Sequence, residues 1–173
     1  MDLMKLSVLI ITRNRSGDLA ECLDALTKQT KKPFEIVIVD NNSKDDTAKI
    51  IQLYSEILPT KNIFLKKTGI SISRNIAVDN AHGHIICFTD DDCIPPPDWL
   101  KSVENHFQKN NSDVVMGYGL NYYPNNLYAI VEQFNYETWL KKAIPNLNNE
   151  AKITDGRIID TKITSFKKKV FKR

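Results

Sequence analysis

Apolar residues in this chain arrive in short dense runs, each followed by a polar turn and a longer segment of helical period. Residues 6–11 (LSVLII) and 34–39 (FEIVIV) are β-branched and leucine-rich, without polar alternation. That is the pattern of strands covered on both faces in a parallel sheet. After the first run, Leu19, Cys22, Leu23 and Leu26 recur at helical spacing. They predict a helix capped by Ser16 or Asp18 and running to about residue 29, with Pro33 closing the connection. After the second, the turn 40–43 leads to Thr47, Ala48, Ile51 and Tyr54 on one helical face. Residues 62–66 read as a short third strand, Gly69 as a permissive start for a helix over 72–81, and 85–88 (IICF) as a fourth strand. Trp99, Leu100, Val103 and Phe107 predict a packing helix, and 113–119 (DVVMGYG) a fifth strand. Beyond it, 121–126 read as loop, the stretch from Leu127 as an aromatic-rich helix, 146–152 as polar linker, and 157–163 with Phe166 as a return to the sheet. The alternation implies right-handed βαβ units, hence an α/β fold with a mostly parallel sheet between two helical layers. Ligands in such folds bind beyond the carboxyl ends of the strands, where 12–15, 40–43 and 90–92 all fall.

Composition narrows the classes. A chain of 173 residues with 42% hydrophobic and 26% charged residues suits one globular domain, and a net charge of +3 does not argue for nucleic acid. Charge is uneven, since residues 166–173 hold five cations and no anion. A tail of this kind suits an anionic membrane surface or nucleic acid, or an ordinary internal segment. Cys22, Cys87 and Cys93 form no CxxC pair and leave an odd thiol, so neither a zinc site nor a disulfide framework is suggested, and a reduced, cytosolic setting is expected. No apolar run is long enough to cross a bilayer and the first residues do not read as a secretory signal, so a membrane would be touched at its inner face rather than crossed.

The least expected stretch is Asp90-Asp91-Asp92 at the end of the fourth strand. Adjacent carboxylates repel unless a cation or hydrogen-bond donors compensate them. Hard cations such as Mg2+ or Mn2+ prefer carboxylate oxygen and complete their shell with water and phosphate. A solvated acidic turn capping the helix after Pro95-Pro96-Pro97 is the plainer alternative. Arg74 opposes the helix dipole at the start of its helix, which suits binding an anion beside free N–H groups, or is an ordinary exposed arginine. His82 and His84 flank Gly83, a pattern that can ligate a metal, but their place at a helix–strand turn on the opposite edge of the sheet favours a structural role.

Taken together, VLIITRNR (8–15), FEIVIVDNNSKDDT (34–47), GISISRNIAV (69–78) and IICFTDDDCIPPPDWL (85–100), with Gln29-Thr30, resemble the nucleotide-sugar half of a family 2 glycosyltransferase of the GT-A fold. The resemblance implies an inverting hexosyltransferase that takes a nucleotide-diphosphate sugar, usually a UDP-sugar, with Mg2+ or Mn2+. It assigns Asp92 to the metal, Asp90 to ribose or metal-bound water, and Asp91 to the donor sugar. Strand alternation would bring Asp90 and Asp92 to one face and send Asp91 elsewhere. Asp40 would accept a hydrogen bond from the base, Thr12, Arg13 and Asn14 would line base and ribose, and Arg74 would contact phosphate or base. Asn42 stands where the family has Gly in its second-strand turn, and Asn tolerates positive φ. The resemblance divides the chain into a donor-binding part, 1–120, and a partial acceptor-side part, 121–173.

Residues 164–171 resemble a family segment that precedes a Gly-Gly-Phe-Asp-Glu stretch leading to the catalytic base. The chain stops at Arg173 before that stretch, so the resemblance implies a truncated enzyme whose base is missing. Asp155 and Asp160 are stand-ins, each reading as a surface or loop residue. The competing class is a nucleotide-binding or interaction module that has lost transferase activity. A phosphoryl-transfer enzyme with an Asp-x-Asp strand end would need a Thr that Cys93-Ile94-Pro95 lacks. Acceptor, whether saccharide, lipid or protein, and oligomeric state are not written in these residues.

Overall fold

The structure is a computed structural model and describes residues 4–67, 69–117 and 164–171. These belong to one compact unit, residues 1–117 with 160–173. Its strands are β1 (Leu6–Thr12), β2 (Glu35–Asp40), β3 (Thr60–Phe64), β4 (Ile85–Phe88), β5 (Val114–Met116) and β6 (Thr164–Lys167). Its helices are α1 (Ser16–Thr27), α2 (Thr47–Ser55), α3 (Ile70–Asn80) and α4 (Trp99–Lys109). The sheet order is β3-β2-β1-β4-β6-β5. The first four strands of that order are mutually parallel, while β6 runs antiparallel to both β4 and β5.

Both faces of the sheet are covered, which is why the strands read as unbroken apolar runs. Leu6, Val8 and Ile10 pack on one side with Leu19, Leu23 and Leu26 of α1, Ile51 of α2 and Leu100, Val103 and Phe107 of α4. Leu9, Val37, Val39, Ile86 and Phe88 pack on the other with Ala77 and Val78 of α3 and Phe166 of β6. The period-two alternation of strand side chains thus separates two cores rather than core from solvent.

Several boundaries moved. β3 begins two residues earlier than its apolar signal, because it is an edge strand whose residues are partly or fully exposed. Gly69 caps α3 with extended backbone (φ 164°), a conformation open to any residue, so its conformational freedom is not what the site requires. Neither Ser16 nor Asp18 caps α1; the Ser16 N–H donates instead to Asp45 Oδ2 at 2.9 Å, from the loop after β2. The fifth strand is only three residues long, paired to β6 rather than to a parallel neighbour. Phe166 does return to the sheet; residues 157–163, the loop at 121–126, the helix from Leu127 and the linker at 146–152 lie outside the described residues.

At the amino edge, His82 and His84 are structural. The His82 N–H donates to Glu35 Oε1, His84 Nδ1 accepts the Lys5 N–H at 3.2 Å, and Ser7 Oγ donates to Glu35 at 2.6 Å. Lys167 and Lys169 of the basic segment pair with Asp113, and Lys168 donates to the Ala81 carbonyl. Each of those three cations thus has a partner within the fold.

Candidate functional site

The order of the strands puts a switch point between β1 and β4: from β1 the chain proceeds to β2 and β3 on one side, then returns to lay β4 on the other. Loops leaving the carboxyl ends of neighbouring strands diverge there and open a crevice. β1 continues to Thr12, paired with Asp40, whereas β4 ends at Phe88 opposite Leu9. The Thr89 N–H still donates to the Leu9 carbonyl at 3.1 Å, and residues 90–92 lie beyond the ladder.

Four loops are stitched together along this edge. Asn14 adopts φ 53° and Asn42 φ 66°, left-handed conformations that Asn accepts more readily than most side chains. The Asn14 N–H donates to Ser43 Oγ at 2.9 Å, and Asn14 Oδ1 accepts the Lys44 N–H at 2.6 Å. Asp40 is buried, and its Oδ1 accepts the Ser43 N–H at 2.8 Å. Asn41, also buried, accepts the Gly69 N–H at 3.2 Å through Oδ1, while Asn42 Nδ2 donates to the Lys66 carbonyl at 3.3 Å. Asp45 accepts from Ser16 N–H and from both the N–H and hydroxyl of Thr47, the last at 2.5 Å. Those hydrogen bonds, with Thr47 foremost, hold its carboxyl down at about 2.

The acidic triplet does not follow strand alternation. β4 has ended, and the Cys93 N–H donates to the Asp90 carbonyl at 3.3 Å, closing a turn over residues 90–93. Strand alternation therefore does not decide which carboxylates of the triplet face one another, and Asp91 is not set apart from Asp92. It is Asp91 and Asp92 that meet on Arg15: Nη1 lies 3.3 Å from Asp91 Oδ1 and 2.8 Å from Asp92 Oδ2. Asp91 is buried while Asp92 is half exposed. Burial is the main influence on Asp91, raising its carboxyl above the ordinary range against the opposing pull of the Thr12 hydroxyl and Arg15. The Thr12 hydroxyl is itself fully buried and close enough to act on Asp91, yet makes no hydrogen bond of ordinary length.

The remaining predicted residues fall on the same edge with less local engagement. Arg13 is exposed and Arg74, in the second turn of α3, is half exposed; neither makes a hydrogen bond or ion pair among the described residues. Behind the triplet, buried Gln29 donates to the Pro96 carbonyl at 2.7 Å and accepts the Leu100 N–H at 3.1 Å, fixing the triple proline against α4. Arg15, Asn41, Ser43 and Asp45 are the residues that sequence reasoning missed. Only tertiary pairing marks them, although each lies within or beside a motif already noted. Cys22 and Cys87 are buried and their thiols pushed up, Cys87 to about 12, so neither is a ready nucleophile. Asp155 and Asp160 lie outside the described residues.

Among the described residues no three His, Cys, Asp or Glu side chains form a closed metal cage. The donor set still fits a hard cation held mainly by its substrate. Mg2+ characteristically takes one or two carboxylates and fills its shell with water and phosphate oxygen, and Asp92 presents a half-exposed carboxylate at the crevice.

The family model described as Glycosyl transferase family 2 matches residues 7–173. Glycosyltransferase AglE of Haloferax volcanii is 32% identical over 123 residues, covering 69% of this chain and 40% of AglE. The poly(ribitol-phosphate) β-N-acetylglucosaminyltransferase TarS of Staphylococcus aureus has been solved in complex with UDP-GlcNAc. That structure superposes with a TM-score of 0.61 at 33% identity, covering 65% of this chain and 34% of its own. A mannosyltransferase from Pyrobaculum calidifontis, solved with GDP-Man and Mn2+, shares the fold at a TM-score of 0.69 and 20% identity over 94% of this chain and 44% of its own. The chain spans less than half the length of the curated relatives it matches.

Proposed function

Because the chain belongs to glycosyl transferase family 2, with the GT-A fold, we propose that its carboxyl edge holds a UDP-sugar with Mg2+ or Mn2+ for transfer, with inversion, to an acceptor hydroxyl. The observation that carries this reading is the gathering of the loops after β1, β2, β3 and β4 along one edge of the sheet, which brings buried Asp40 and the Arg15–Asp91–Asp92 cluster to that edge. Asp40, whose Oδ1 is engaged by Ser43, offers its other oxygen to the N–H of uracil. Thr12, Arg13 and Asn14 line base and ribose, and the left-handed turn at Asn42 keeps the backbone clear of the base. Arg74, in the second turn of α3, faces the pyrophosphate beyond the first-turn N–H groups of that helix. Asp90 reaches ribose or metal-bound water and Asp91 the donor sugar.

Asp92, with Asp90 near it, would hold the cation. When bound, the cation supplies positive charge at the pyrophosphate oxygens as the glycosidic bond breaks. The crevice walls contribute orientation, since a fixed donor geometry removes the entropy of finding the line of attack. Residues 1–120 carry the donor site in this reading and 121–173 contribute to the acceptor side. The three thiols, two of them buried, suit a reducing cytosolic setting, and contact with the inner membrane face is peripheral. Among the described residues no helix is long and apolar enough to cross a membrane.

Titration calorimetry with UDP tests the reading. Binding is expected in the presence of Mn2+, with Asp92→Ala losing the Mn2+ dependence and at least tenfold in affinity, about 1.4 kcal/mol. Absence of heat from the wild-type protein, or full affinity in Asp92→Ala, removes the site as drawn.

A further inference from the structure

Arg15 has no task in the donor-binding reading, yet the fold delivers its guanidinium to the acidic triplet. Its backbone is fixed, because the Arg15 carbonyl accepts the Leu19 N–H at 2.9 Å in the first turn of α1. Its side chain is not: it is 48% exposed and spans to Asp91 and Asp92 through a single nitrogen. Resting on the reading that Asp92 takes a divalent cation, we propose that Arg15 is a resident counter-ion, occupying the triplet in the metal-free protein and displaced by the incoming metal.

Arg15 Nη1 lies 2.8 Å from Asp92 Oδ2 and 3.3 Å from Asp91 Oδ1, so the carboxylate offered to a cation already carries a positive partner. A guanidinium and a divalent ion cannot share one carboxylate oxygen without strong repulsion. The half exposure of Asp92 gives Arg15 an open side to leave by. Asp91 is buried and would be left charged without its partner, a costly state. The buried Thr12 hydroxyl already acts on Asp91 beside Arg15, without a hydrogen bond of ordinary length, and is the donor that stays with that carboxylate when the guanidinium goes. Metal affinity is then set by competition with Arg15, and the cluster is never left as three bare carboxylates.

The test uses Mn2+ alone, without nucleotide, with free Mn2+ read by electron paramagnetic resonance. Arg15→Gln should bind Mn2+ on the order of fivefold tighter than wild type, the effect of removing one half-exposed competing charge. If wild type binds Mn2+ and Arg15→Gln binds it no tighter, Arg15 is not a competitor and the donor-site reading survives. If neither binds Mn2+, the metal reading falls and displacement falls with it. A second measurement needs no variant to fold well: in nitrogen-labelled wild-type protein, the held Arg15 Nη resonance should collapse toward the free guanidinium average as Mg2+ saturates. A signal unchanged at saturating Mg2+ overturns the proposal.

Discussion

At Asn42 a single side chain carries the turn that leaves β2. Its φ of 66° is the conformation for which glycine is the usual choice, and the Asn side chain adds a hydrogen bond to Lys66. Asn42→Gly is expected to stay within about 1 kcal/mol of wild type, whereas Asn42→Val, β-branched at positive φ, should cost about 1–3 kcal/mol. Urea unfolding of the two variants checks this. Asp45 illustrates a different residue-scale effect. Its carboxyl is held down at about 2 by Thr47 and Ser16, below the ordinary value of 3.8. A depressed carboxyl stabilises the fold when ionised, so its contribution is complete above pH 4 and is lost as pH falls toward 2. The melting temperatures of wild type and Asp45→Ala should differ at pH 6 and converge between pH 4 and pH 2; a gap constant with pH would show that the charge does not matter.

Elements here are joined by their ends more than by their own caps. α1 takes its amino-terminal cap from the loop after β2, and α4 is seated on the triple proline by buried Gln29. The connection from α3 into β4 is as tight. A Cβ on Gly83 would stand 2.5 Å from Ser7 Oγ, 2.8 Å from Ser7 N and 2.9 Å from the Lys5 carbonyl. Two of those are backbone atoms of the sheet and cannot yield, so Gly83→Ala should destabilise by about 1–3 kcal/mol. Chemical denaturation is the measurement. Such a loss at the amino edge should leave the UDP affinity of the folded fraction unchanged, because the candidate site lies at the other end of the strands.

For the whole molecule, the decisive piece is β6, which comes from far along the chain and inserts antiparallel between β4 and β5. Phe166 meets Phe88 edge-on at 6.1 Å and Phe171 at 5.2 Å, completing the core on the α3 side. Phe88 is the last residue of the strand that delivers the acidic triplet. Phe166→Ala should cost about 3–5 kcal/mol of stability. It should also weaken UDP binding in the molecules that remain folded, since the end of β4 loses its support; native affinity with lowered stability would separate the core from the site.

The local chemistry of each segment determined a large share of this. Unbroken apolar runs followed by polar turns and helical periods are enough to specify an α/β sheet, because burial on both faces and period are local properties. The same runs place Thr12, Asp40 and Asp90 to Asp92 at strand ends, and an Asn at the second turn already accounts for its positive φ. What only the tertiary structure decided was which groups face one another. The triplet lies beyond the end of β4, so pairing Asp91 with Asp92 through Arg15 depended on where α1 begins and on the three-residue stagger between β1 and β4. The cap on α1, the Asn14–Ser43 and Asn41–Gly69 bonds and the insertion of β6 are likewise contacts between segments remote in sequence. Local propensity carries no signal for them, because the partner that satisfies each group is supplied by the fold.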